Sequence, residues 1–114
     1  PLDKTYRQMS IYLTVEVIMD DKKFQKVAKA LADPRRFDIF QTIATSEHGG
    51  ICSGSVCKTV DVAQATVSHH LKELTEADLI VPNSKGQFKF FSANHETMSE
   101  YIAELQNRLQ IAKG

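Results

Sequence analysis

Charge of one sign is missing from this chain: 14 lysines and arginines stand against 14 aspartates and glutamates, and the formal net charge is zero. Such a chain does not bind polyanions indiscriminately, so any nucleic-acid recognition must rest on where the charges lie. Long apolar runs are missing too. The longest apolar-rich segment, Ile11 to Met19, is broken by Thr14 and Glu16. It falls short of the roughly 18 residues of a membrane span and has neither a basic leader nor a small-residue cleavage site. Neither membrane insertion nor a secretion signal is expected. Cysteine is scarce, with Cys52 and Cys57 alone, which points to reduced thiols in a cytoplasm rather than a disulfide scaffold. No low-complexity tract, internal repeat or linker marks a second domain.

What is present is an ordinary globular composition, 42% hydrophobic and 25% charged over 114 residues. That is room for one domain with one modest core, and dimerisation is a common way for such a chain to bury more apolar surface. The charges are segregated by segment. Lys22, Lys23, Lys26, Lys29, Arg35 and Arg36 face Asp33 alone between residues 22 and 36, a basic run that also reads as a solvated helix face. Glu96, Glu100 and Glu104 occupy 94–107 without a lysine or arginine. Over 58–92, Lys58, Lys72, Lys85 and Lys89 are balanced by Asp61, Glu73, Glu76 and Asp78.

Residues 1–21 form an N-terminal extension whose periodicity fits strand or helix, with helix favoured. Asp20 or Asp21 can cap a helix with an apolar face of Phe24, Val27, Ala28 and Leu31. Asp33-Pro34, N-cap and first helical residue, starts another to about Ser46 that buries Phe37, Phe40, Ile43 and Ala44 and stops before Gly49-Gly50. A short helix from about Ser53 to Val60, the turn Asp61-Val62-Ala63 and a helix from Gln64 to about Ala77 make a helix-turn-helix over 53–77. Leu79-Ile80-Val81 and Phe88-Lys89-Phe90-Phe91, joined by a polar tip from Pro82 to Gln87, predict a two-stranded wing over 79–92. Asn94 can cap a last helix, over 95–112, whose stripe Met98, Ile102, Leu105, Leu109 and Ala112 is the seam of a helix lying along another helix, in a dimer or within the chain. Tyr101 borders that seam.

The chemistry concentrates on the second helix of the pair. Val67, Leu71 and Leu74 recur at helical spacing and face inward, which leaves Gln64, Thr66, Ser68 and His69 as candidates for base-edge or phosphate contact. Lys72 one turn on, and Lys85 and Lys89 on the wing, suit phosphates. His70, beside the apolar face, reads as a packed or capping histidine, and the phenylalanines around Lys89 read as core rather than base-stacking platforms.

ALADPRRFDIF at 30–40, ATVSHHLKELTEADLI at 65–80 and KGQFKFFS at 85–92 together resemble the ArsR/SmtB-type bacterial repressors, in register over roughly residues 22–110. The resemblance implies a mainly α (α+β) winged helix-turn-helix fold with N- and C-terminal dimerisation helices, a homodimer on a near-palindromic operator of double-stranded DNA, and release by a metal, metalloid or thiol oxidant. Its C-terminal helix would supply the dimer residues Met98, Ile102, Leu105 and Leu109. Cys52 and Cys57 fall where the arsenical repressors carry two thiols of a three-cysteine site, with Gly54 at the middle thiol, and His48 offers a third ligand. In a continuous helix five residues apart places the sulfurs about 140° apart, so chelation requires Cys52 to sit ahead of the helix. The bland alternative is two half-buried cysteines acting as small apolar residues. Where the family carries a capping Ser or Thr, and Pro two residues on, this chain has Ala63 and Ala65, a lost cap of about 1 kcal/mol. The family's zinc-type site on the C-terminal helix would start at His95 and Glu96, but Gln106 stands eleven residues after His95, so that site is not expected. No cofactor is required.

The leading function is therefore a DNA-binding transcriptional regulator. A winged-helix module for protein contacts, without DNA binding, is the alternative that the charge balance over 58–92 favours, and a gel shift on the chain's own upstream DNA separates the two. A small thiol enzyme built on Cys52 or Cys57 lacks a placed base beyond His48.

Overall fold

A computed structural model describes residues 17–47 and 50–111. The expected N-terminal helix falls mostly outside them, and Val17 to Asp20, which are described, are not helical. The elements run α1 (Asp21–Ala32), α2 (Pro34–Ala44), β1 (Ile51–Cys52), α3 (Ser53–Val60), α4 (Gln64–Glu76), β2 (Ile80–Lys85), β3 (Phe88–Ala93) and α5 (His95–Leu109).

Each helix that carries an acidic or amide cap begins at it. Asp20 accepts from the Lys23 N–H at 2.8 Å, Asp33 from those of Arg35 and Arg36, and Asn94 from that of Thr97, satisfying donors that a helix start leaves orphaned. Pro34 follows Asp33 at the first position of α2. The buried face of α2 is Ile39, Phe40 and Ile43, and Phe37 stays 44% exposed, contrary to expectation. At about 100° per residue Phe37 lies more than a quarter turn from the centre of that face, which Ile39 occupies instead. On α1, Ala30 is buried with Phe24 and Val27, while Ala28 and Leu31 sit at its margins.

The wing is larger than the pair of strands expected. Ile51 and Cys52 add a third strand to the other side of β3, so the antiparallel order is β1-β3-β2, with Ile51 opposite Phe91 and Cys52 opposite Phe90. The segment Pro82 to Lys85 is strand rather than loop, and the turn contracts to Gly86 and Gln87. Pro82 is tolerated because β2 is an edge strand, where a missing N–H need break no ladder bond. Gly86 takes a φ of +62°, positive φ at the first turn residue of a two-residue hairpin. Gly50 is a stricter requirement: a Cβ there would lie 2.3 Å from the Phe91 carbonyl oxygen, at a φ of +86°.

The core is one cluster in which Val27 of α1, Ile39 and Ile43 of α2, Val56 of α3, Val67 and Leu74 of α4, and Leu79 and Ile80 at the wing base are almost fully enclosed. Asp78, at a φ of +62° between α4 and the wing, ties the periphery together. Its carboxylate accepts from Lys23 Nζ at 3.0 Å, Thr97 Oγ1 at 3.0 Å and Asn94 Nδ2 at 3.3 Å, which joins α1 and α5 to the end of α4. Those hydrogen bonds, Lys23 first, hold its carboxyl below the usual carboxylate range although burial opposes them.

Candidate nucleic-acid interface

The helix-turn-helix is made by valines. Val56 and Val67 seat α3 against α4 and are fully buried, and Asp61, left-handed at a φ of 51°, ends α3 and sends the chain into α4. Val67, His70, Leu71 and Leu74 are the buried side of α4, whereas Gln64, Thr66, Ser68, His69 and Lys72 are all exposed. The five sequence-predicted residues of this helix thus share its outward side. Ala63, at the N-cap, makes no side-chain hydrogen bond, so the first-turn N–H groups of α4 remain open to solvent or to a phosphate oxygen.

Lys72 and Lys89 come together from different elements. A cleft of about 430 Å³ separates α4 from the wing, lined by Ser53, Ser68, Leu71, Lys72, Pro82 and Lys89 among others. Hydroxyls and two ammonium groups over an apolar floor suit a sugar-phosphate strand, with Glu76 the one carboxylate among the lining residues. Ser53 was not singled out from the sequence; it reaches the cleft because β1 carries the start of α3 against the wing, a long-range pairing that local spacing does not reveal. Lys85 stands apart at the hairpin end, its ammonium 5.5 Å from the Phe90 ring centroid, and Lys89 Nζ is 5.8 Å from that of Phe91. Of the three wing phenylalanines only Phe91 is core; Phe90 is half-buried and Phe88 exposed, which corrects the expectation for that group. The basic run 22–36 is also partly spent on structure, since Lys23 pairs with Asp78 and Arg36 lies 3.6 Å from Asp33 and 3.8 Å from Glu73.

His70 is packed, as its place beside the apolar face predicts. It is buried, and its Nδ1 and the neighbouring Arg36 Nε are the two buried side-chain polar atoms without a hydrogen bond among the described residues. Burial pushes the imidazole pKa down against the pull of Asp33, with Arg36, His69 and Arg35 adding to the decrease. Burial therefore favours the neutral form of the histidine that seats α4.

Cys52 is the N-cap residue of α3, with extended backbone, ahead of the helix rather than within it. Its Sγ is 3.2 Å from Ser55 Oγ, and that hydrogen bond, followed by the first N–H groups of the helix, lowers the thiol pKa. Cys57 is half-buried and packs against the core. His48 lies outside the described residues. Among those described, no group of three or more His, Cys, Asp and Glu side chains is gathered to hold a metal ion, and a three-thiolate metalloid site does not fit two cysteines with Gly54 between them.

On α5 the expected seam divides. Met98 and Leu105 pack against the core with Tyr101, whereas Ile102 and Leu109 are 47% and 59% exposed. The centre of the buried face is polar, Thr97 and Glu104, so the apolar stripe is turned partly outward. Among the described residues no helix is long and apolar enough to cross a membrane.

Comparison with known proteins agrees with this architecture. A family described as a helix-turn-helix domain matches residues 31–82. The arsenical resistance operon repressor of Bacillus subtilis (strain 168) is 30% identical over 83 residues, 73% of this chain and 77% of that protein. Among solved structures, an ArsR-like transcriptional regulator from Rhodococcus sp. RHA1 superposes with a TM-score of 0.69 at 18% identity, covering 78% of this chain and 80% of that one. The solution structure of a homodimeric winged helix-turn-helix DNA-binding domain from Mycobacterium bovis superposes with a TM-score of 0.59 at 15% identity, over 99% and 92% of the two chains. With a polar outward face on the second helix of its pair, a lysine-bearing wing and a repressor relative at this level of identity, the chain belongs to the ArsR family of winged helix-turn-helix transcriptional regulators, DNA-binding proteins and not enzymes.

Proposed function

We propose that this protein is a cytoplasmic homodimeric repressor that binds a near-palindromic operator, with α4 of each protomer in the major groove. Gln64, Thr66, Ser68 and His69 read base edges or position the helix on adjoining phosphates, and Lys72, Lys85 and Lys89 neutralise the backbone. The observation that carries this reading is the division of α4, in which every one of those helix residues is exposed while Val67, Leu71 and Leu74 are buried. Ser68→Ala and His69→Ala are expected to fold normally and to lose about 1–3 kcal/mol each in specific operator affinity, with little change on unrelated DNA. Lys72→Ala, Lys85→Ala and Lys89→Ala should weaken binding to all sequences and flatten its salt dependence. Wild-type affinity in both Ser68→Ala and His69→Ala removes the assignment.

We also propose a thiol-directed effector. Support comes from Cys52, whose lowered thiol pKa and place ahead of α3 favour reaction with a soft metalloid or an oxidant, and from the relative's role in arsenical resistance. A ligand that draws Cys52 toward Cys57, with His48 as a possible third group, distorts the helix on which α4 is seated. A tenfold loss of operator affinity requires only about 1.4 kcal/mol of preference for the distorted state. Arsenite, antimonite, zinc and a mild oxidant are to be titrated into the operator complex, beside a Cys52→Ser/Cys57→Ser double variant. Release in the wild type but not in the variant is expected. Indifference of the wild-type complex to all four reduces both cysteines to packing residues.

A further inference from the structure

The β2–β3 hairpin ends in an aromatic ring that the fold does not use. Every residue from Val81 to Lys89 is exposed, although Pro82 and Lys89 also line the cleft beside α4. The last cross-strand pair of this arm is Lys85 with Phe88, next to the Gly86–Gln87 turn. Phe91 is buried and Phe90 lies under the Lys85 ammonium, but Phe88 is 56% exposed. An aromatic ring left in water forgoes the transfer free energy that burial supplies, and among the described residues Phe88 is not part of the hydrophobic core. The charge around it has one sign. From Ile80 to Ala93 the chain carries Lys85 and Lys89 and no aspartate or glutamate. Lys85 shares the face of its partner Phe88, and Lys89, next in sequence, takes the opposite face, so one cation stands on each side of the arm. An apolar partner surface would meet two ammonium groups that have no carboxylate partner among the described residues, whereas a nucleic-acid groove offers phosphates on both walls and apolar sugar and base surface at its floor.

We propose that Phe88 is a wedge that enters the minor groove flanking each half-site, held by Lys85 and Lys89 on the phosphates of its two walls, and partly unstacks a base step there. Apolar wedges of this kind kink the duplex. Pyrimidine–purine steps unstack most readily, so Phe88 makes the flanking step part of the operator without a hydrogen bond to any base. The inference rests on the DNA reading of α4, and the experiment separates the two.

Wild-type protein is used to select duplexes from a randomised library, and the selected operator is remade with 2-aminopurine at the flanking step. The expected result has three parts: enrichment of TA or CA at that step, a rise in 2-aminopurine fluorescence on binding, and a loss of roughly tenfold in affinity with Phe88→Ala that abolishes the rise. Phe88→Leu, which keeps an apolar wedge, should retain most of both. Operator binding by Phe88→Ala with wild-type affinity and an undiminished fluorescence rise overturns the wedge alone. Failure of the wild type to select any duplex overturns the wedge and the operator reading together. Because Phe88 packs on nothing in the core, an unchanged circular dichroism spectrum is expected for both variants.

Discussion

Glu104→Ala is expected to destabilise the folded chain by about 3 kcal/mol, the largest loss expected from one surface-to-core contact in this protein. Glu104 is 5% exposed. Its Oε1 accepts from the backbone N–H groups of Ile18 at 3.0 Å and Met19 at 3.3 Å, and its Oε2 accepts from Arg108 Nε at 2.9 Å. Arg108 in turn donates to Asp21 at 2.9 Å and lies 3.9 Å from the centroid of the Phe24 ring. Truncation leaves the Met19 N–H enclosed without an acceptor and takes from Arg108 its better-buried partner, while Asp21 keeps part of the guanidinium's pairing. That remaining pairing places the cost at the lower end of what breaking a buried ion pair involves, about 3–5 kcal/mol.

The same network has a pH signature. Burial works to raise the Glu104 pKa, but the Arg108 hydrogen bond and the N–H groups of Ile18 and Met19 together outweigh it, and the carboxyl is held below its ordinary value of 4.5. A depressed folded-state pKa means that the unfolded chain takes up the proton first. The contribution of Glu104 is then complete above about pH 4.5 and is lost as pH falls through the folded-state pKa. Urea midpoints of the wild type and Glu104→Gln should therefore differ widely at pH 7 and converge in acid. A gap that does not narrow would show that the ionised carboxylate is not what holds Ile18 and Met19.

Glu104 also shows where sequence reading reaches its limit. In the chain it is one of three glutamates spaced through a segment without basic residues, and locally only Arg108, four residues on, separates it from Glu96 and Glu100, both of which avoid the core. Its two backbone N–H partners, which no local pattern reveals, are 86 and 85 residues away. By contrast, the outward face of α4 was legible because it needs only the spacing of Val67, Leu71 and Leu74, and the starts of α2 and α5 because Asp33-Pro34 and Asn94 cap within three residues. β1 was not legible: two residues have no periodicity, and they become a strand only by pairing with Phe90 and Phe91. Pro82 was misleading for a related reason, since a proline excludes a central strand but not an edge, and strand order is a tertiary property.

Placing charge on the outward edge of α5 is expected to cost the most operator affinity. Glu104 and Thr97, seven residues apart, fix which side of the helix faces inward. At about 100° per residue Ile102 and Leu109 then lie near the far margin of the apolar stripe, and both are exposed. Val17 and Ile111, 49% and 55% exposed, add apolar surface at the two ends of the described chain. Leu105 is a poorer probe because it packs against the core, and charge there would disturb the fold itself. In Ile102→Glu/Leu109→Glu each copy of a two-fold interface would bring carboxylates against their symmetry mates, so the variant should sediment as a folded monomer. A monomer reads one half-site. Losing the linked second half-site lowers affinity for the full operator by about 100-fold or more, with affinity for an isolated half-site unchanged. Sedimentation and half-site binding are thus independent readings of one interface. A variant that stays dimeric at micromolar concentration moves the interface off this edge of α5, and a monomer that keeps full operator affinity removes the requirement for two-fold reading of the DNA.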